Sequence, residues 1–246
     1  MDAPALTPPA SLEPQRVALV TGGSSGLGAA MVEAFREAGW QVVAASRHPP
    51  EARPGVHSLA MDVTEADSVA RGFSEITEHW GRLDALVNNA GITADRLLGN
   101  LTEVDWDAVL DVSLRGAFLC ARSALPLMVR QRAGHIVNIA SFSGRYGNRG
   151  QANYAAAKAA LLGMTLALAR EMGPVNVQVN AVLPGFLRTA MTSGLPAEVV
   201  ENATRMNALG RLGTVDEVAR FVVFLTTMQH VSGQVFQLDS RILPWT

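Results

Sequence analysis

The sequence predicts an α/β domain in which one doubly wound parallel sheet lies between two layers of helices. From residue 16 onward, short apolar runs alternate with segments of helical periodicity. The runs are apolar on both faces, as a parallel sheet covered on both sides requires. A glycine-rich turn at residues 21–28 follows the first run. With 246 residues, 48% of them hydrophobic, the chain can bury a sizeable core.

The first half of the chain contains four predicted strands. The apolar run at 16–21 is too short for a buried helix and predicts the first strand. Between 26 and 39, apolar residues recur at helical spacing, and Gly39 ends that helix. Strands are predicted at 41–46, 57–61 and 83–88. The helix between the last two, at 64–80, would be capped by the pair Thr64 and Asp67.

The second half repeats the alternation. A long helical stretch is predicted at 105–132, with an early break, before a fifth strand at 135–140. A helix rich in alanine and leucine follows at 152–172, and a sixth strand at 175–183. Residues 189–207 predict irregular or helical cover, 215–227 a helix and 234–238 the last strand. We therefore expect a disordered lead at 1–15 and one domain at 16–246.

Composition and charge argue against several classes of protein. The formal net charge of −2 comes with no basic run, which disfavours a nucleic-acid binder. One cysteine excludes an intrachain disulfide, and five scattered histidines show no metal-ligand spacing, so no metal is expected. No charge-free apolar stretch reaches 18 residues, and the first fifteen residues hold four prolines and no basic residue. We predict no membrane span and no targeting signal, and we expect the cytoplasm as the compartment.

The glycine-rich turn is the first candidate site. Its glycines follow the pattern G-x-x-x-G-x-G, which allows a tight turn and lets a phosphate approach backbone N–H groups. The positive end of the next helix adds to the attraction. An ordinary glycine-rich turn is the alternative, but the strand-to-helix position favours a dinucleotide pyrophosphate and a Rossmann-type fold. The candidate residues are Gly22, Ser24, Ser25, Gly26, Leu27 and Gly28.

The end of the second strand indicates which dinucleotide binds. A carboxylate there would bind the ribose hydroxyls of NAD, but the strand ends without one and Arg47 follows. A guanidinium fits the 2′-phosphate of NADP, so NADPH is predicted over NADH, with a solvated surface arginine as the alternative. After the third strand, Asp62 and Val63 are further cofactor-binding candidates. Asp62 would accept from the adenine amino group, or else lie near a helix N-cap.

Ser141, Tyr154 and Lys158 are the candidate catalytic residues. Tyr154 and Lys158 are four positions apart and share one helix face. An ammonium near a phenol lowers the pKa of the phenol, which makes it a usable general acid. Lys158 is the only lysine beside nineteen arginines, and a compact ammonium suits this role better than a guanidinium. Ser141 follows the fifth strand, where its hydroxyl would hold a substrate carbonyl. For Tyr154 and Lys158 taken alone, the alternative is a chance pair on one helix.

Together these motifs resemble the short-chain dehydrogenase/reductase family, over nearly the full length from about residue 16. The residues that carry the resemblance are the turn at 21–28, the Asn-Asn-Ala-Gly run at 88–91, Ser141, the Tyr-x-x-x-Lys pattern at 154–158 and the Pro-Gly pair at 184–185. Within the family the chain is most similar to 3-oxoacyl-[acyl-carrier-protein] reductases, on residues 89–98 and 150–154.

The resemblance implies a seven-stranded sheet, a homotetramer and hydride transfer from a nicotinamide. Tyr154 would then be the proton donor, while Lys158 binds the nicotinamide ribose and lowers the pKa of Tyr154. Ser141 would orient the carbonyl. The remaining cofactor contacts that it implies are Asn89, Ala90 and Gly91 on the adenosine side, and Pro184, Gly185 and Thr189 at the nicotinamide end.

Two departures from the family pattern fall within the site. Ser113 stands where the family usually has an asparagine, which helps hold a water that links the lysine to solvent. Ser113 is therefore a further catalytic candidate, because a serine hydroxyl can also hold a water. Ser25 stands inside the glycine turn, where NADP-dependent members often carry a basic residue.

Two further departures fall outside the site. Bacterial members that act on a carrier protein use two exposed arginines to dock it. Arg132 matches one of them, but Val175 falls at the other position, so the attraction for an acidic carrier protein is weakened. Asp239 and Ser240 replace two glycines in the C-terminal segment, where a subunit contact is expected to change.

Assembly is predicted from the helix at 152–172, which is dense in small apolar residues. A helix that is apolar nearly all round should be buried, and one domain can cover only one side of it. A second subunit is therefore expected, and homo-oligomers close symmetrically. The family resemblance indicates a tetramer.

The leading functional hypothesis is an NADPH-dependent ketoreductase of a 3-oxoacyl thioester or a polyketide-like ketone. A reductase or dehydrogenase of a free ketone or secondary alcohol is the second hypothesis. A dinucleotide-binding subunit without turnover is the third; Ser113 leaves it open, whereas the Ser–Tyr–Lys set argues against it. Candidate substrate-wall residues, which core or lid packing would explain equally well, are Leu97, Leu98, Phe142, Phe186, Met191, Leu195 and Met206.

Overall fold

The seven predicted strands pair into one parallel sheet. The computed structural model describes residues 15–190 and 192–242. The strands run in the order β3-β2-β1-β4-β5-β6-β7, which confirms the predicted doubly wound architecture. The lead predicted at 1–15 lies, except for Gln15, outside the described residues. The strands are β1 (Val17–Thr21), β2 (Gln41–Ser46), β3 (Val56–Ala60), β4 (Ala85–Asn88), β5 (Gly134–Ile139), β6 (Val177–Leu183) and β7 (Val235–Gln237).

Helices cover both faces of this sheet. Side chains of α1 and α8 form one apolar cluster with the sheet, and those of α2, α4 and α6 form the other. The helices are α1 (Gly26–Glu37), α2 (Ala66–Trp80), α3 (Glu103–Leu110), α4 (Gly116–Gln131), α5 (Phe142–Tyr146), α6 (Ala152–Met172), α7 (Ala197–Arg205) and α8 (Val215–Leu225).

Strand β1 shows why its sequence is apolar at every position. Val17 and Leu19 point into the cluster that contains α2, α4 and α6, whereas Ala18 and Val20 point into the cluster that contains α1 and α8. All four side chains are buried because neither face of the strand meets solvent. Burial on both faces thus explains the lack of alternation that predicted a parallel sheet.

The capping pair predicted for the second helix is wrong. Helix α2 begins at Ala66 behind Glu65, whose side chain makes no capping hydrogen bond. Thr64 is engaged elsewhere: its N–H and its hydroxyl donate to Asp62 Oδ1 at 2.9 and 2.7 Å. The turn formed by Asp62 therefore competes with the cap for the same threonine, as short polar side chains commonly do.

The long helical stretch predicted with an early break is continuous in the structure. Helix α3 passes into a widened π-helical turn at Asp111–Arg115, and α4 follows directly. Thr102 caps α3, since its Oγ1 accepts from the Asp105 N–H at 3.0 Å. The predicted break is thus a π turn, a feature that often marks functional sites.

Three local elements differ from the prediction. The short helix α5, directly after Ser141, was not predicted. A 3₁₀ turn at Gly173–Val175 delays the start of β6 to Val177. The expected irregular or helical cover at 189–207 contains one defined helix, α7.

Two helical stretches among the described residues are long and apolar enough, by length and composition alone, to cross a membrane. They are Glu103–Gln131 and Ala152–Val175, although none was predicted. The first is half-buried within the fold, and the second packs against β6 and holds Lys158 beneath β5. Both therefore belong to the helix layer that covers the sheet.

Candidate active site

The candidate site lies where the strands end at their carboxyl edge. The strand order reverses between β1 and β4, which leaves a crevice for a ligand beyond these two strands. The turns after β1, β4, β5 and β6, with the start of α1, carry most of the predicted site residues. Arg47, Asp62 and Val63 follow β2 and β3, whereas Ser113, Tyr154 and Lys158 lie on helical segments. No three His, Cys, Asp or Glu side chains of the described residues are grouped so that they could hold a metal ion.

The glycine turn is shaped by close backbone approach. Gly22 and Gly26 have φ values of 66° and 53°, in the left-handed region that favours glycine. A Cβ atom at Gly28 would lie 2.0 Å from the carbonyl oxygen of Gly22, so no other residue fits there. Helix α1 begins at Gly26 without a side-chain cap from Ser25. Ser24, Ser25 and Gly26 are exposed, and Leu27 is partly buried, so a phosphate can reach this helix start.

Asn89 and Ala90 brace the turn. The Asn89 side-chain amide donates to the carbonyl oxygens of Thr21 and Gly22, at 2.9 and 3.3 Å. The backbone N–H groups of Asn89 and Ala90 donate to Thr21 Oγ1 at 3.0 and 3.1 Å. These bonds tie the end of β4 to the glycine turn, so both residues hold the shape of the predicted cofactor site.

Arg47 and Asp62 lie together at the far end of the crevice. Arg47 is exposed directly after β2, and Val63, beside Asp62, is buried against Gly116. Burial alone would raise the pKa of Asp62, but hydrogen bonds from Thr64 and the charge of Arg47 lower it. Arg47 is thus close enough to lower the pKa of Asp62, the carboxylate that was predicted to accept from the adenine amino group. Ser46 Oγ, one residue earlier, is buried without a hydrogen-bond partner among the described residues.

Ser141, Tyr154 and Lys158 converge at the end of β5. The Ser141 hydroxyl lies close enough to Tyr154 to lower its pKa, and it accepts from the Ser143 N–H at 3.1 Å, as the cap of α5. Tyr154 and Lys158 lie on one face of α6, with Lys158 Nζ 5.7 Å from the centre of the Tyr154 ring. Lys158 Nζ donates to the Ile139 carbonyl oxygen at 2.7 Å. The ammonium is therefore fixed below the tyrosine by the last residue of β5.

Burial dominates the acid–base properties of this cluster. It raises the pKa of Tyr154, an effect that the Ser141 hydrogen bond opposes and the charge of Asp95 reinforces. Burial also lowers the pKa of Lys158 to about 8. The pKa of Tyr154 is therefore raised, not lowered as predicted, in the protein alone, because desolvation of the phenol dominates and Lys158 is not among the groups that shift it. A raised pKa keeps Tyr154 protonated at neutral pH, which is the state of a proton donor.

Ser113 lies beside the lysine, within the π-helical turn. A Cβ atom built on Gly91 would lie 3.4 Å from both Ser113 Oγ and Lys158 Nζ, so glycine leaves room where the two groups meet. The Ser113 hydroxyl is buried and has no hydrogen-bond partner within the described part of the chain. Buried hydroxyls are normally satisfied, often by water, so this position suits an ordered water next to the ammonium.

A polar network that was not predicted from the sequence supports Tyr154. Gln151 joins its members: its Oε1 accepts from Ser143 Oγ at 2.9 Å and its Nε2 donates to Asp95 Oδ2 at 2.8 Å. Asn153 Oδ1 accepts from the Tyr154 N–H at 2.8 Å, and Asn153 Nδ2 donates to the carbonyl oxygen of Ala94 at 3.2 Å. Only the family resemblance on 89–98 and 150–154 pointed to these two segments. Their role is to hold the start of α6 against the turn after β4.

The turn after β6 reaches back to the glycine turn. A Cβ atom on Gly26 would lie 3.6 Å from Thr189 Cβ, so the predicted nicotinamide and pyrophosphate ends are adjacent. Thr192 fixes this turn, since its Oγ1 accepts from the Thr189 N–H at 2.9 Å and donates to the Leu187 carbonyl oxygen at 2.7 Å. Pro184 and Gly185 are partly buried at its start, and Gly185 has a φ of 79°.

The predicted substrate-wall residues are mostly exposed. The exposed fractions are 48% for Leu97, 73% for Leu98, 39% for Leu195 and 47% for Met206, which excludes ordinary core packing for these four. Phe142 and Phe186 are partly buried, and Met191 lies outside the described residues.

Arg132 lies far from this cluster within one chain. It ends α4 with a φ of 51° and donates weakly to the Pro174 carbonyl oxygen at 3.4 Å. Strand β5 separates Arg132, at the amino edge of the sheet, from Ser141 at the carboxyl edge. The six residues of β5, at roughly 3.3 Å each, place about 20 Å between the two edges.

A glycine-rich turn at the strand-order reversal, with a Ser–Tyr–Lys cluster beside it, is the arrangement of an oxidoreductase of the dinucleotide-binding α/β class. A family model described as enoyl-(acyl carrier protein) reductase matches residues 22–240. The chain belongs to the short-chain dehydrogenase/reductase family.

The similar proteins include several 3-oxoacyl-[acyl-carrier-protein] reductases. That of Thermotoga maritima is 41% identical over 240 residues, which cover 93% of this chain and 98% of the relative. That of Staphylococcus aureus is 40% identical over 235 residues, covering 90% and 96%. That of Synechocystis is 40% identical over 242 residues, covering 93% and 97%.

Membership of this family implies an NAD(P) cofactor, and the residues present fit one. The space that a Cβ atom would fill at Gly22 and Gly28 is taken by backbone and by the Asn89 side chain, so only glycine fits, and no side chain caps the N–H groups at the start of α1. Gly22–Gly28 would hold the pyrophosphate, and Pro184, Gly185 and Thr189 the nicotinamide. Tyr154 and Lys158 would meet the nicotinamide ribose, and Arg47 and Asp62 the adenosine.

Proposed function

We propose that this protein is an NADPH-dependent ketoreductase that acts on a 3-oxoacyl thioester or a polyketide-like ketone. The observation that carries the proposal is the convergence of Ser141, Tyr154 and the buried Lys158 ammonium at the end of β5. The relatives of about 40% identity named 3-oxoacyl-[acyl-carrier-protein] reductase support the thioester class.

Each residue of the cluster has a separate task in this proposal. The nicotinamide, when bound, supplies the hydride that reduces the ketone carbon. Tyr154 donates its hydroxyl proton to the ketone oxygen, and its raised pKa keeps that proton available at neutral pH. Ser141 donates a hydrogen bond to the same oxygen and so orients the carbonyl. Lys158, as an ammonium, stabilises the tyrosinate that remains.

The cofactor preference is inferred from the adenosine end. Arg47 is exposed beside Asp62 and offers a guanidinium for a 2′-phosphate, while β2 ends in Ser46 without a carboxylate. A 2′-phosphate would be bound by charge-assisted hydrogen bonds, which favours NADPH over NADH. Ser25 leaves the glycine turn without a second cation, so Arg47 carries this preference.

The chain is also proposed to act as a homotetramer in the cytoplasm. Helix α6 buries five of its 21 residues, and Ala159, Gly163, Leu166 and Ala167 are exposed, so one side of this helix lacks cover within one chain. An acyl carrier protein would dock through Arg132. Its electrostatic attraction to this surface would be weakened because Val175 stands where a second cation is expected. Because Arg132 and Ser141 lie at opposite edges of the sheet, a carrier bound there would deliver its acyl group to another subunit of the tetramer.

A substrate panel tests the proposal. The purified protein is assayed by NADPH and NADH oxidation with a 3-oxoacyl thioester, a free cyclic ketone and a 2-enoyl thioester. We expect turnover of the 3-oxoacyl thioester with NADPH, and a loss of at least roughly 10²-fold in Tyr154→Phe, which removes only the general acid.

The other outcomes identify the alternatives. Faster turnover of the free ketone would favour the second hypothesis. Reduction of the 2-enoyl thioester alone would agree with the description of the family model and would contradict carbonyl reduction. NADPH binding with no turnover on any substrate would indicate a binding subunit and would contradict the proposal.

A further inference from the structure

The C-terminal segment carries a buried ion pair that the proposed reaction does not use. The side chains of Asp239 and Arg241 are only 3% and 9% exposed. Arg241 Nε donates to Asp239 Oδ2 at 2.5 Å, and Gln237 Nε2 donates to Asp239 Oδ1 at 2.6 Å. Burying two charges is costly unless their hydrogen bonds are satisfied, and here both carboxylate oxygens have partners. We therefore ask what this buried pair contributes to the arrangement of the segments around it.

The pair lies between two of the turns that form the site. The Arg241 guanidinium carbon is 3.4 Å from the centre of the Phe142 ring, which directly follows Ser141. Phe142 also stacks on Tyr146, with 4.7 Å between the ring centres, so the guanidinium contacts one ring of an aromatic pair in α5. On the other side, a Cβ atom built on Gly185 would lie 2.7 Å from Asp239 Cβ. Asp239 therefore rests directly on the turn that follows β6.

Ser240, between the two charged residues, ties the same segment to the cover after α7. Its N–H and hydroxyl both donate to Asn207 Oδ1, at 3.0 and 3.1 Å. In return, the Ala208 N–H donates to the Ser240 carbonyl oxygen at 2.9 Å and the Leu209 N–H to Ser240 Oγ at 3.2 Å. Residues 239–241 thus contact three segments that surround the substrate side.

We infer that the Asp239–Arg241 pair is a positioning element, which holds the Ser141–Phe142 turn, the Gly185 turn and the segment after α7 in the arrangement that reduction needs. Neither residue contacts Tyr154 or Lys158 in the structure, so the pair acts through Phe142 and Gly185. A planar guanidinium suits this role because it can stack on an aromatic ring while it pairs with a carboxylate. A shift of about 1 Å in Ser141 would be enough to reduce turnover on the order of 10²-fold.

The test compares two ion pairs in one protein. Arg241→Ala removes the guanidinium from Phe142, and Arg241→Lys keeps the charge but not the flat stack. The control is Arg82→Ala, which breaks the pair of Arg82 with Asp84, whose Nε–Oδ2 distance is 2.9 Å, at the opposite edge of the sheet. Both alanine variants are expected to lower the melting temperature, since each leaves a carboxylate without its cation.

Steady-state kinetics distinguishes Arg241→Ala from the control Arg82→Ala. For Arg241→Ala we expect kcat for the ketone to fall on the order of tenfold to a hundredfold, with the KM for NADPH nearly unchanged. Arg241→Lys should recover part of this loss, and Arg82→Ala should leave kcat within about twofold of wild type. An equal loss of kcat in Arg82→Ala and Arg241→Ala would overturn the inference, because general destabilisation would then explain both.

Hydrogen exchange tests the same inference without a substrate. In the intact protein, Arg241→Ala should speed exchange of the Gly144, Ala208 and Leu209 amides, whereas Arg82→Ala should not. Only the kinetic measurement rests on the proposed function. A wild type that reduces no ketone would contradict that function, whereas hydrogen exchange would still test the role of the Asp239–Arg241 pair. If Arg241→Ala does not fold, Asp239→Asn and Arg241→Lys take its place in the exchange measurement. Unchanged exchange at all three amides in the folded variants would contradict the inference.

Discussion

The buried charge of the single lysine, Lys158, determines how the site responds to pH. Burial lowers the pKa of Lys158 to about 8, whereas burial raises that of Tyr154, so the ammonium is the first of the two groups to lose its proton as the pH rises. We therefore predict that kcat/KM for NADPH falls as the pH rises through about 8, as measured in a profile from neutral to alkaline pH. A flat profile across this range would contradict the assignment.

The same group makes folding stability depend on pH. In the unfolded chain Lys158 keeps its proton up to its ordinary pKa of 10.5, so between about 8 and 10.5 the unfolded state binds more protons than the folded state. The destabilising cost of the buried charge is full below pH 8 and is relieved as the pH rises through this window. Denaturant unfolding should therefore show a free energy of unfolding that gains this contribution between about pH 8 and 10.5 in the wild type, and the gain should be lost in Lys158→Met.

Arg47 is predicted to set the cofactor preference. Arg47→Asp removes a charge-assisted contact with the 2′-phosphate, worth roughly 1.5–3 kcal/mol, and adds a carboxylate suited to ribose hydroxyls. KM for NADPH should therefore rise on the order of tenfold to a hundredfold, while KM for NADH falls or stays constant. Arg71→Asp, which changes an exposed arginine of α2, is the matched control. A wild type with the lower KM for NADH would show that the assignment is wrong.

Ser113 raises the question of whether proton return still works without the family asparagine. Its buried hydroxyl faces the same space at Gly91 as the Lys158 ammonium, and a hydroxyl both donates and accepts. One more ordered water can fill the length that serine lacks. Ser113→Asn should then change kcat by less than about tenfold. A large gain in kcat, with an unchanged melting temperature, would instead identify the natural protein as a slow enzyme.

At the scale of elements, α5 and α6 must pack closely for Ser141 to reach Tyr154. A Cβ atom on Gly144 would lie 2.6 Å from the backbone of Lys158 and Ala159, so Gly144→Ala should push α5 away from α6. We expect kcat to fall on the order of a hundredfold and KM for NADPH to change little, as steady-state kinetics would show. Gly173→Ala is the control, because nothing lies within 4 Å of its added carbon. Equal kinetics in the two variants would exclude this packing requirement.

The elements also show what could be predicted from sequence. Strands and long helices were predictable because burial on both faces imposes a pattern that extends over many residues, and α6 was predicted with its correct bounds. Helix α5 is only five residues long, and its cap comes from a serine that already had a catalytic interpretation. The Gln151 network and the Asp239–Arg241 pair depend on contacts between distant segments, which local patterns do not reveal. The false cap at Thr64 arose because Asp62 competes for that hydroxyl.

At the scale of the whole molecule, α6 presents an apolar stripe without cover in one chain. Its buried positions, among them Ala157, Leu161 and Thr165, face the sheet, while the opposite side is exposed. The exposed residues recur at helical spacing and are mostly small, so that a second helix can approach closely: Ala159, Gly163, Leu166 and Ala167. Leu166 is 46% exposed in one chain, a large fraction for a leucine in the middle of a long helix.

We therefore predict a homotetramer that assembles through this stripe. Light scattering at micromolar concentration should give about four times the chain mass of 26.1 kDa. Leu166→Glu places a charge in the stripe and should shift the mass to smaller species, because a buried unpaired carboxylate is strongly unfavourable. Val199→Glu, on the exposed helix α7, changes a comparably exposed residue away from the stripe and should leave the mass unchanged. A wild-type mass near 26.1 kDa would refute the tetramer, and with it delivery of an acyl group from Arg132 to another subunit.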